Sequence, residues 1–395
     1  MAATLSEPSG DAQAHSARLR GLIQEQIIAA GGAIPFWKFM ELALYAPGLG
    51  YYSAGAHKFG ASGDFITAPE LSPLFAACVA DALTQPLRQA GRDARFVELG
   101  GGSGAFAEAA LEHFQASGAL PARYAILEPS ADLRERQRER LQARLSPALF
   151  ARVEWLDGPI QDPWDGIVFA NEVIDALPAS RFVIAQGQVC EEGVALDGEG
   201  RFVRCERPAD AMLEAAVRRI EAQLPEPFVD GYRSEALVQL PYWIQAVVGG
   251  LRRGALLFVD YGYARSEFYL PERSDGTLRA FRQHHLVDDV FAWPGLQDIT
   301  ASVDFTALAE AGVGAGFEFS GYCAQASFLL GNRLHEHLLA AEAQAADEVA
   351  RHNLRQQAKQ LTLPSEMGER FQAMGFQREV EFDTAFPLGD LSHRL

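Results

Sequence analysis

Short apolar segments alternate with amphipathic helical segments from Arg95 onward, and this alternation limits the possible folds more than any other feature of the sequence. The predicted strands are ARFVELG, RYAILEP, a short segment at 152–155, GIVFANE (166–172) and GALLFVDYG (254–262). Parallel strands are buried on both faces, so they read as continuous apolar runs joined by helices. The sequence therefore predicts an α/β fold with a doubly wound, mainly parallel sheet.

Breaks in this alternation divide the chain into segments. A period-two pattern flanks DGEG in 181–206 and predicts a hairpin. The C-terminal third is predicted to be mainly helical to about Gly375. The expected organisation is a disordered lead-in (1–15), an N-terminal helical region with a cleft-covering loop (16–90), a main α/β domain with C-terminal helices (91–180 and 236–395) and, after the fourth strand, a hairpin–helix insertion (181–235).

Composition excludes several classes of protein. The net charge of −18, from 34 basic and 52 acidic residues, argues against a nucleic-acid-binding face. The one basic run, at 133–145, has helical spacing and is interpreted as a solvated helix face. No apolar run is long enough for membrane insertion, and the start of the chain is not typical of a secretory signal. Four scattered cysteines predict reduced thiols, so we expect a cytoplasmic location.

A glycine-rich bend follows the first of these strands, in FVELGGGSGAF (96–106). Gly100, Gly102 and Gly104 permit a tight turn and leave no Cβ to collide with a ligand, and the next helix offers free N–H groups to an anion. We interpret the bend as a ligand-binding loop. Gly100, Gly102 and Ala105 also fit the dinucleotide pattern GxGxxA, so the bend alone leaves the ligand open.

Two acidic residues help to choose between the ligands. Glu128 ends the next strand, where its carboxylate can accept hydrogen bonds from both hydroxyls of a ribose. Dinucleotide sites and S-adenosylmethionine sites share this arrangement. Glu98, two residues before the bend, is less typical of dinucleotide sites. A carboxylate there can hold the amino group of S-adenosylmethionine. The alternative interpretation is that Glu98 pairs with a neighbouring arginine.

NEVIDALP (171–178) follows the fourth predicted strand. Ligands of open α/β sheets bind beyond the carboxyl ends of the strands, so Asn171 and Glu172 are expected to face the cleft. Together they can orient a nitrogen-containing substrate; the alternative is a helix-capping Asn beside a solvated Glu. No metal site is predicted, because His284 and His285 are adjacent and no acid-rich ligand set accompanies them.

These segments together resemble a known family, the mitochondrial complex I assembly methyltransferases and their bacterial MidA-like relatives. The resemblance rests on FVELGGGSGAF and NEVIDALPASRF and, in the same order along the chain, on LYAPGLGYYS, GDFITAPELSPLF, DYGY, DGTLRAFRQHHL and DITASVDF. It covers nearly the whole chain. Relatives usually have a proline in the bend and an arginine before its last glycine, where this chain has Gly101 and Ser103.

The resemblance implies a Rossmann-like, class I methyltransferase fold with S-adenosylmethionine as cofactor. It also implies a protein substrate, specifically an arginine on a subunit of respiratory complex I. Carried over residue by residue, it assigns cofactor binding to Glu98, Gly100, Gly102, Gly104 and Glu128, with Gly63, Asp64 and Thr67 over the cleft, and the catalytic, substrate end to Asn171, Glu172 and Asp175.

Two other functions stay open at the level of the sequence. One is an assembly chaperone that keeps the cofactor pocket without turnover, which the departures in the bend allow. The other is a nicotinamide-dependent dehydrogenase, for which the sequence offers no Tyr-Lys pair after a strand. The sequence does not identify the methyl acceptor or the number of methyl groups added. It leaves an oligomer possible and does not decide whether the insertion binds a partner.

Overall fold

The structure is a computed structural model that describes residues 7–54, 67–283 and 285–395. Its helices are α1 (Gly10–Ala29), α2 (Phe36–Tyr45), α3 (Ala68–Leu71), α4 (Pro73–Ala90), α5 (Ala105–Ala116), α6 (Ala131–Arg144), α7 (Pro147–Phe150), α8 (Ala211–Glu221), α9 (Leu240–Val248), α10 (Arg265–Phe268), α11 (Phe305–Gly314), α12 (Gln325–Gly331), α13 (Leu334–Gln344) and α14 (Glu348–Thr362). Its strands are β1 (Ala33–Pro35), β2 (Arg95–Leu99), β3 (Arg123–Leu127), β4 (Val153–Leu156), β5 (Trp164–Asn171), β6 (Ser180–Ala185), β7 (Gln188–Leu196), β8 (Phe202–Pro208), β9 (Arg233–Ala236), β10 (Leu251–Tyr263), β11 (Arg279–Arg282), β12 (His285–Val287), β13 (Asp298–Thr300), β14 (Val303–Asp304), β15 (Glu318–Ala324) and β16 (Phe371–Arg378).

The main sheet has the strand order β15-β16-β10-β5-β2-β3-β4. Strands β10, β5, β2, β3 and β4 pair in parallel, as the alternating sequence pattern predicts. Helices α4, α5 and α12–α14 cover one face with an apolar core, and α9 and α11 cover the other. The predicted doubly wound, mainly parallel α/β fold is therefore confirmed.

The C-terminal region departs from the predicted helix. Residues Phe371–Arg378 form strand β16, which pairs antiparallel with β10 on one side and with β15 on the other. Most of this strand is buried, so it lacks the alternation of a half-exposed strand. A short apolar run of this kind cannot be distinguished from a buried helix by its periodicity. The prediction of helix to about Gly375 is therefore wrong beyond residue 370.

A second, antiparallel sheet lies beside the main one and has the order β1-β7-β6-β9, with β8 on the other edge of β7. Strands β7 and β8 pair across the DGEG turn. Strand β1 comes from the N-terminal region and pairs with Gly193–Ala195 of β7. Helices α1 and α2 pack on this sheet through a shared apolar core. The N-terminal region and the 181–235 segment therefore form one packed unit.

The start of the chain also departs from the prediction. Helix α1 begins at Gly10, where the Ser9 hydroxyl accepts the N–H of Ala12, so residues 10–15 of the expected disordered lead-in are helical. His15 contacts the Leu49 carbonyl at 2.8 Å. The expectation rested on the apolar stripe that begins at Leu19, and polar residues held by capping and tertiary contacts extend the helix before it. Residues 1–6 lie outside the described part of the chain.

A buried ionic network joins the second sheet to the loop before β11. Arg181 of β6 is 1% exposed and donates to Glu192 at 2.7 Å, to Glu235 and to Asp275 at 2.9 Å. Glu235 in turn accepts the backbone N–H of Thr277 at 2.8 Å. Since 275–278 leads into the wall of the large cavity described below, Arg181 ties the insertion to that wall.

Among the described residues, no helix has both the length and the apolar character required to span a bilayer. The four cysteines, all in the described part of the chain, carry free thiols.

Candidate active site

A cavity of about 1500 Å³ opens at the carboxyl ends of the parallel strands. Its floor is formed where β2, β3, β5 and β10 end, and its roof by residues of the N-terminal region. This is the edge at which open α/β sheets bind ligands. The lining includes eight of the residues singled out from the sequence: Thr67, Glu98, Gly100, Gly102, Glu128, Asn171, Glu172 and Asp175.

The glycine bend forms one end of this cavity. Gly100, Gly102 and Gly104 all have positive φ, and Gly100 donates its N–H to the Leu127 carbonyl at 3.0 Å. A Cβ added to Gly100 would lie 2.9 Å from Cγ2 of Val173. Both the backbone conformation and the space therefore require glycine there. Gly104 precedes α5 and shapes the turn without lining the cavity.

A buried glutamine lies under the bend. Gln137 of α6 is 0% exposed and donates to the Gly102 carbonyl at 2.9 Å and to Glu128 at 3.4 Å, while Trp155 donates to its side-chain oxygen at 2.9 Å. Glu128 also accepts the N–H of Ser130 at 2.9 Å. Gln137 thus fixes both the bend and the acid that ends β3. Because Gln137 is buried, the helix at 133–145 is not solvated on every face. The sequence analysis did not identify Gln137.

Glu98 lies directly below the bend and is 3% exposed. The Tyr124 hydroxyl donates to its carboxylate at 2.8 Å. Burial raises the pKa of Glu98 to about 8, although the Tyr124 hydrogen bond opposes the rise. Its partner is thus a tyrosine and not the arginine of the alternative interpretation. A cationic group that enters the cavity here can offset the cost of ionising Glu98.

Asn171 and Glu172, at the end of β5, begin the acidic end of the cavity. This end lies beside the glycine bend, because Ala170 of β5 pairs with Leu99 of β2. The Asn171 amide donates to the Glu172 carboxylate at 3.0 Å. Burial, followed by the charge of Asp175, raises the pKa of Glu172 to about 8. Glu172 also has a φ of 54°, a left-handed conformation that glutamate rarely adopts and that is common at functional sites. Neither residue is a helix cap or a solvated acid.

Asp260, at the end of β10, holds the strained turn after Glu172. One of its carboxylate oxygens accepts the N–H groups of Val173, Ile174 and Asp175 at 3.2, 3.0 and 3.3 Å. The other accepts the N–H of Tyr261 at 2.9 Å. The sequence analysis included Asp260 in the predicted strand at 254–262 but gave it no role. The structure shows that it sets the direction in which Glu172 and Asp175 point.

Asp175 extends the acidic end of the cavity. The Tyr261 hydroxyl donates to one of its oxygens at 2.8 Å, and burial raises the pKa of its carboxyl group to about 6. Within the described part of the chain, the other Asp175 oxygen and the Asn171 amide oxygen are buried without a hydrogen-bond partner. Buried acceptors of this kind are costly unless a ligand or water pairs with them. The arrangement fits a ligand rich in N–H donors.

Two tyrosines and Thr67, the residue before α3, line this end of the cavity. The Tyr45 and Tyr52 rings stack with centroids 5.5 Å apart, and Tyr52 donates to Asp298 at 2.9 Å. Thr67 is buried against the cavity. The backbone of the next residue, Ala68, favours the charged form of Glu172 and partly opposes the rise of its pKa. The predicted cleft-covering residues Gly63 and Asp64 lie outside the described residues.

The two departures from the usual bend sequence have local partners. A Cβ at Gly101 would lie 2.8 Å from Cγ2 of Ile126, so this position has no room for a side chain without movement. The Ser103 hydroxyl donates to Glu70 of α3 and accepts from Arg140 of α6 at 3.1 Å. The bend therefore keeps an open glycine cradle, and Arg140 brings a guanidinium to its rim.

Comparisons with known proteins agree with this geometry. A family model described as "Putative S-adenosyl-L-methionine-dependent methyltransferase" matches residues 78–323. The mitochondrial protein arginine methyltransferase NDUFAF7 of Danio rerio is 29% identical over 87% of this chain and 83% of its own. Its Drosophila melanogaster homologue is 27% identical over 92% of this chain and 86% of its own.

A solved structure is more similar still. A Burkholderia thailandensis protein, crystallised with S-adenosylhomocysteine, is 40% identical and superposes with a TM-score of 0.92 over 99% of this chain and 100% of its own. A second crystal structure from the same organism has a TM-score of 0.89 at 39% identity. The fold expected from the resemblance is therefore confirmed.

Proposed function

We propose, because this chain belongs to the family of S-adenosylmethionine-dependent methyltransferases, that it transfers a methyl group to an arginine side chain of a protein. The relatives that are named protein arginine methyltransferases are 27–29% identical to this chain. Membership of the family is established by the matching family model, and arginine as the methyl acceptor is what we propose. The observation that supports it is the pair Asn171 and Glu172, which lies beside the glycine bend in the same cavity.

The residues around the bend fit S-adenosylmethionine, the cofactor of the family. A Cβ added at Gly100 or Gly101 would lie only 2.9 or 2.8 Å from a neighbouring side chain, and the neighbouring acids offer carboxylates at the ends of β2 and β3. In our proposal Glu128 binds the ribose hydroxyls and Glu98 binds the amino group. When bound, the cofactor supplies an electrophilic methyl group on a sulfonium that leaves as a neutral thioether.

The acidic end of the cavity would hold the acceptor. A guanidinium has a pKa above about 12, so it arrives as a cation with weakly nucleophilic nitrogens. In our proposal the carboxylate of Glu172 pairs with the far side of the group, concentrates positive charge there and points a nitrogen toward the bend. As the nitrogen–methyl bond forms and the sulfur–methyl bond breaks, the group loses one proton, which the Glu172 carboxylate accepts. The unpartnered oxygens of Asn171 and Asp175 accept further N–H groups. Positioning of this kind contributes on the order of 7–11 kcal/mol to lowering a barrier.

In our proposal the stacked rings of Tyr45 and Tyr52, which line the cavity, exclude water from the acceptor. A dry, low-dielectric site strengthens the attraction between the Glu172 carboxylate and the guanidinium. Asp260 acts indirectly, because its hydrogen bonds fix the turn from which Glu172 projects.

The acceptor can be tested with labelled cofactor. Purified protein and methyl-labelled S-adenosylmethionine are added to a lysate of host cells that lack the gene, and labelled peptides are sequenced by mass spectrometry. We expect label on arginine, and on a respiratory complex I subunit in particular. Label on lysine would contradict the arginine assignment. Cofactor binding without any transfer would favour the non-catalytic assembly chaperone instead.

Proton release on cofactor binding tests the role of Glu98. The ligand-free carboxyl group is mostly protonated at pH 7, since its pKa is about 8. Binding an ammonium group requires the carboxylate, so binding at pH 7 should release about one proton per site. Calorimetry in phosphate and Tris buffers, which differ in ionisation enthalpy, measures this release. Replacing Glu98 with glutamine should abolish it and weaken binding about tenfold. Unchanged proton release would show that Glu98 does not bind the amino group.

A further inference from the structure

A cluster of two histidines and one aspartate lies on the outer side of the helices that cover the main sheet. Asp81 of α4 contacts Nε2 of His113 of α5 at 2.6 Å and Nε2 of His337 of α13 at 2.8 Å. The two histidine rings are nearly perpendicular, with centroids 5.2 Å apart. Three separate helices thus contribute one side chain each to a single point, away from the bend and the acidic end of the cavity.

We propose that Asp81, His113 and His337 bind a divalent transition-metal ion of the zinc class, and that this ion fastens α13 to α4 and α5. The three ligand atoms already lie within 4.8 Å of one another. Ligand atoms around tetrahedral zinc are about 3.4 Å apart, given bonds of about 2.0–2.1 Å. The two imidazoles contact different oxygens of Asp81, at 2.6 and 2.8 Å, so the three side chains have to shift to bring one ligand atom each to this spacing.

The chemistry of the three groups selects the ion. Two imidazole nitrogens and one carboxylate suit zinc and similar transition metals, whereas magnesium and calcium require oxygen ligands. The side chains are only 13%, 20% and 14% exposed for Asp81, His113 and His337, so they are held in place by packing. A metal-bound histidine binds through an unprotonated ring nitrogen, so each ring would present Nε2 without a proton and carry its proton on Nδ1.

An entry path and an open coordination position lie beside the cluster. A second cavity, of about 360 Å³, is lined in part by Asp81, Thr84 and Ser117. Three protein ligands with water in the fourth position is the arrangement of catalytic zinc sites, and the site proposed here would share it although its role is to join helices. Arg333 opposes a cation here, because its guanidinium lies 3.2 Å from Asp81. Its side chain is 57% exposed and also pairs with Glu336, so it can leave Asp81 without becoming unpaired.

Metal titration of the full-length chain, first stripped with a chelator, tests this proposal. We expect Co²⁺ to give the visible absorption bands of a four-coordinate site, at one ion per chain. Zn²⁺ at about 100 times its Kd should raise the Tm by about 3 °C, while Mg²⁺ should not. An absence of both the cobalt bands and the zinc shift, or an equal shift with Mg²⁺, would overturn the proposal.

Three variants sharpen the test. His337→Gln should lose the cobalt bands, whereas His335→Gln, two residues away on the exposed face of α13, should keep them. Arg333→Ala removes the competing cation and should tighten zinc binding several-fold, a gain that an unfolded variant could not produce. Equal loss of the bands in His335→Gln and His337→Gln would show that Asp81, His113 and His337 are not the ligands.

Discussion

Replacing Glu172 with glutamine is expected to lower kcat by about 100- to 1000-fold and to leave the Kd for S-adenosylhomocysteine within about twofold of the wild-type value. Glutamine has nearly the same shape and can still accept the hydrogen bond from Asn171. It loses the negative charge that would hold and polarise the guanidinium. Single-turnover kinetics with the identified acceptor, together with calorimetry for the cofactor product, measure the two quantities separately.

The pH dependence of the same reaction provides an independent check on Glu172. Its pKa is raised to about 8 in the free protein, so the carboxylate becomes abundant only as the pH rises through that value. With cofactor saturating, kcat/KM for the acceptor should therefore increase with pH up to about 8 and then level off. This rise should be absent in Glu172→Gln.

Glu98→Gln is the matched control in the part of the cavity that is proposed to bind the cofactor. It should weaken cofactor binding and leave kcat nearly unchanged when the cofactor is saturating, because Glu98 would bind the cofactor and not the acceptor. If Glu172→Gln instead weakens cofactor binding as strongly as it lowers kcat, Glu172 belongs to the cofactor pocket and our assignment is wrong.

Replacing Arg181 with leucine is expected to lower the free energy of unfolding by about 3–5 kcal/mol. The substitution leaves Glu192 and Glu235, which are 0% and 2% exposed, without the guanidinium that they share. Glu192 keeps Arg233 at 3.0 Å, but Glu235 has no other ion pair among the described residues. A buried carboxylate without a counter-ion must either ionise in the protein interior or take up a proton. Chemical denaturation followed by tryptophan fluorescence gives the change directly.

Arg204 offers the matched control for Arg181. It contacts two acids of the same network, Glu192 at 3.6 Å and Asp275 at 3.1 Å, but its side chain is 38% exposed. Solvent screens such pairs, so Arg204→Leu should cost less than about 1 kcal/mol. If Arg181→Leu and Arg204→Leu lower the free energy of unfolding equally, burial does not determine how much each arginine contributes to stability.

The parts of the site that depend on one segment of sequence could be predicted. Glu98, Glu128, Asn171 and Glu172 each follow or end a predicted strand, and the ends of neighbouring parallel strands meet at one edge of a sheet. All four line the same cavity. Their individual roles as cofactor or substrate ligands stay predictions.

The parts that depend on distant segments could not be predicted. Gln137 is one buried residue in a helix of arginines and glutamates, and only the position of the bend above it gives it a role. Asp260 organises a turn whose residues lie more than 80 positions earlier in the chain. The partners of Arg181 come from three segments. Such contacts leave no periodic signal in the sequence.

Strand β16 is the last strand of the chain, yet it lies in the interior of the main sheet between β10 and β15. While the chain is still on the ribosome, β10 therefore presents an unpaired apolar edge until residue 378 has been synthesised. Such an edge is a template for pairing with other chains. Fragments that end before Phe371 should therefore aggregate, and a nascent chain of this protein should depend on residues 371–378, or on a chaperone until they emerge, to stay soluble.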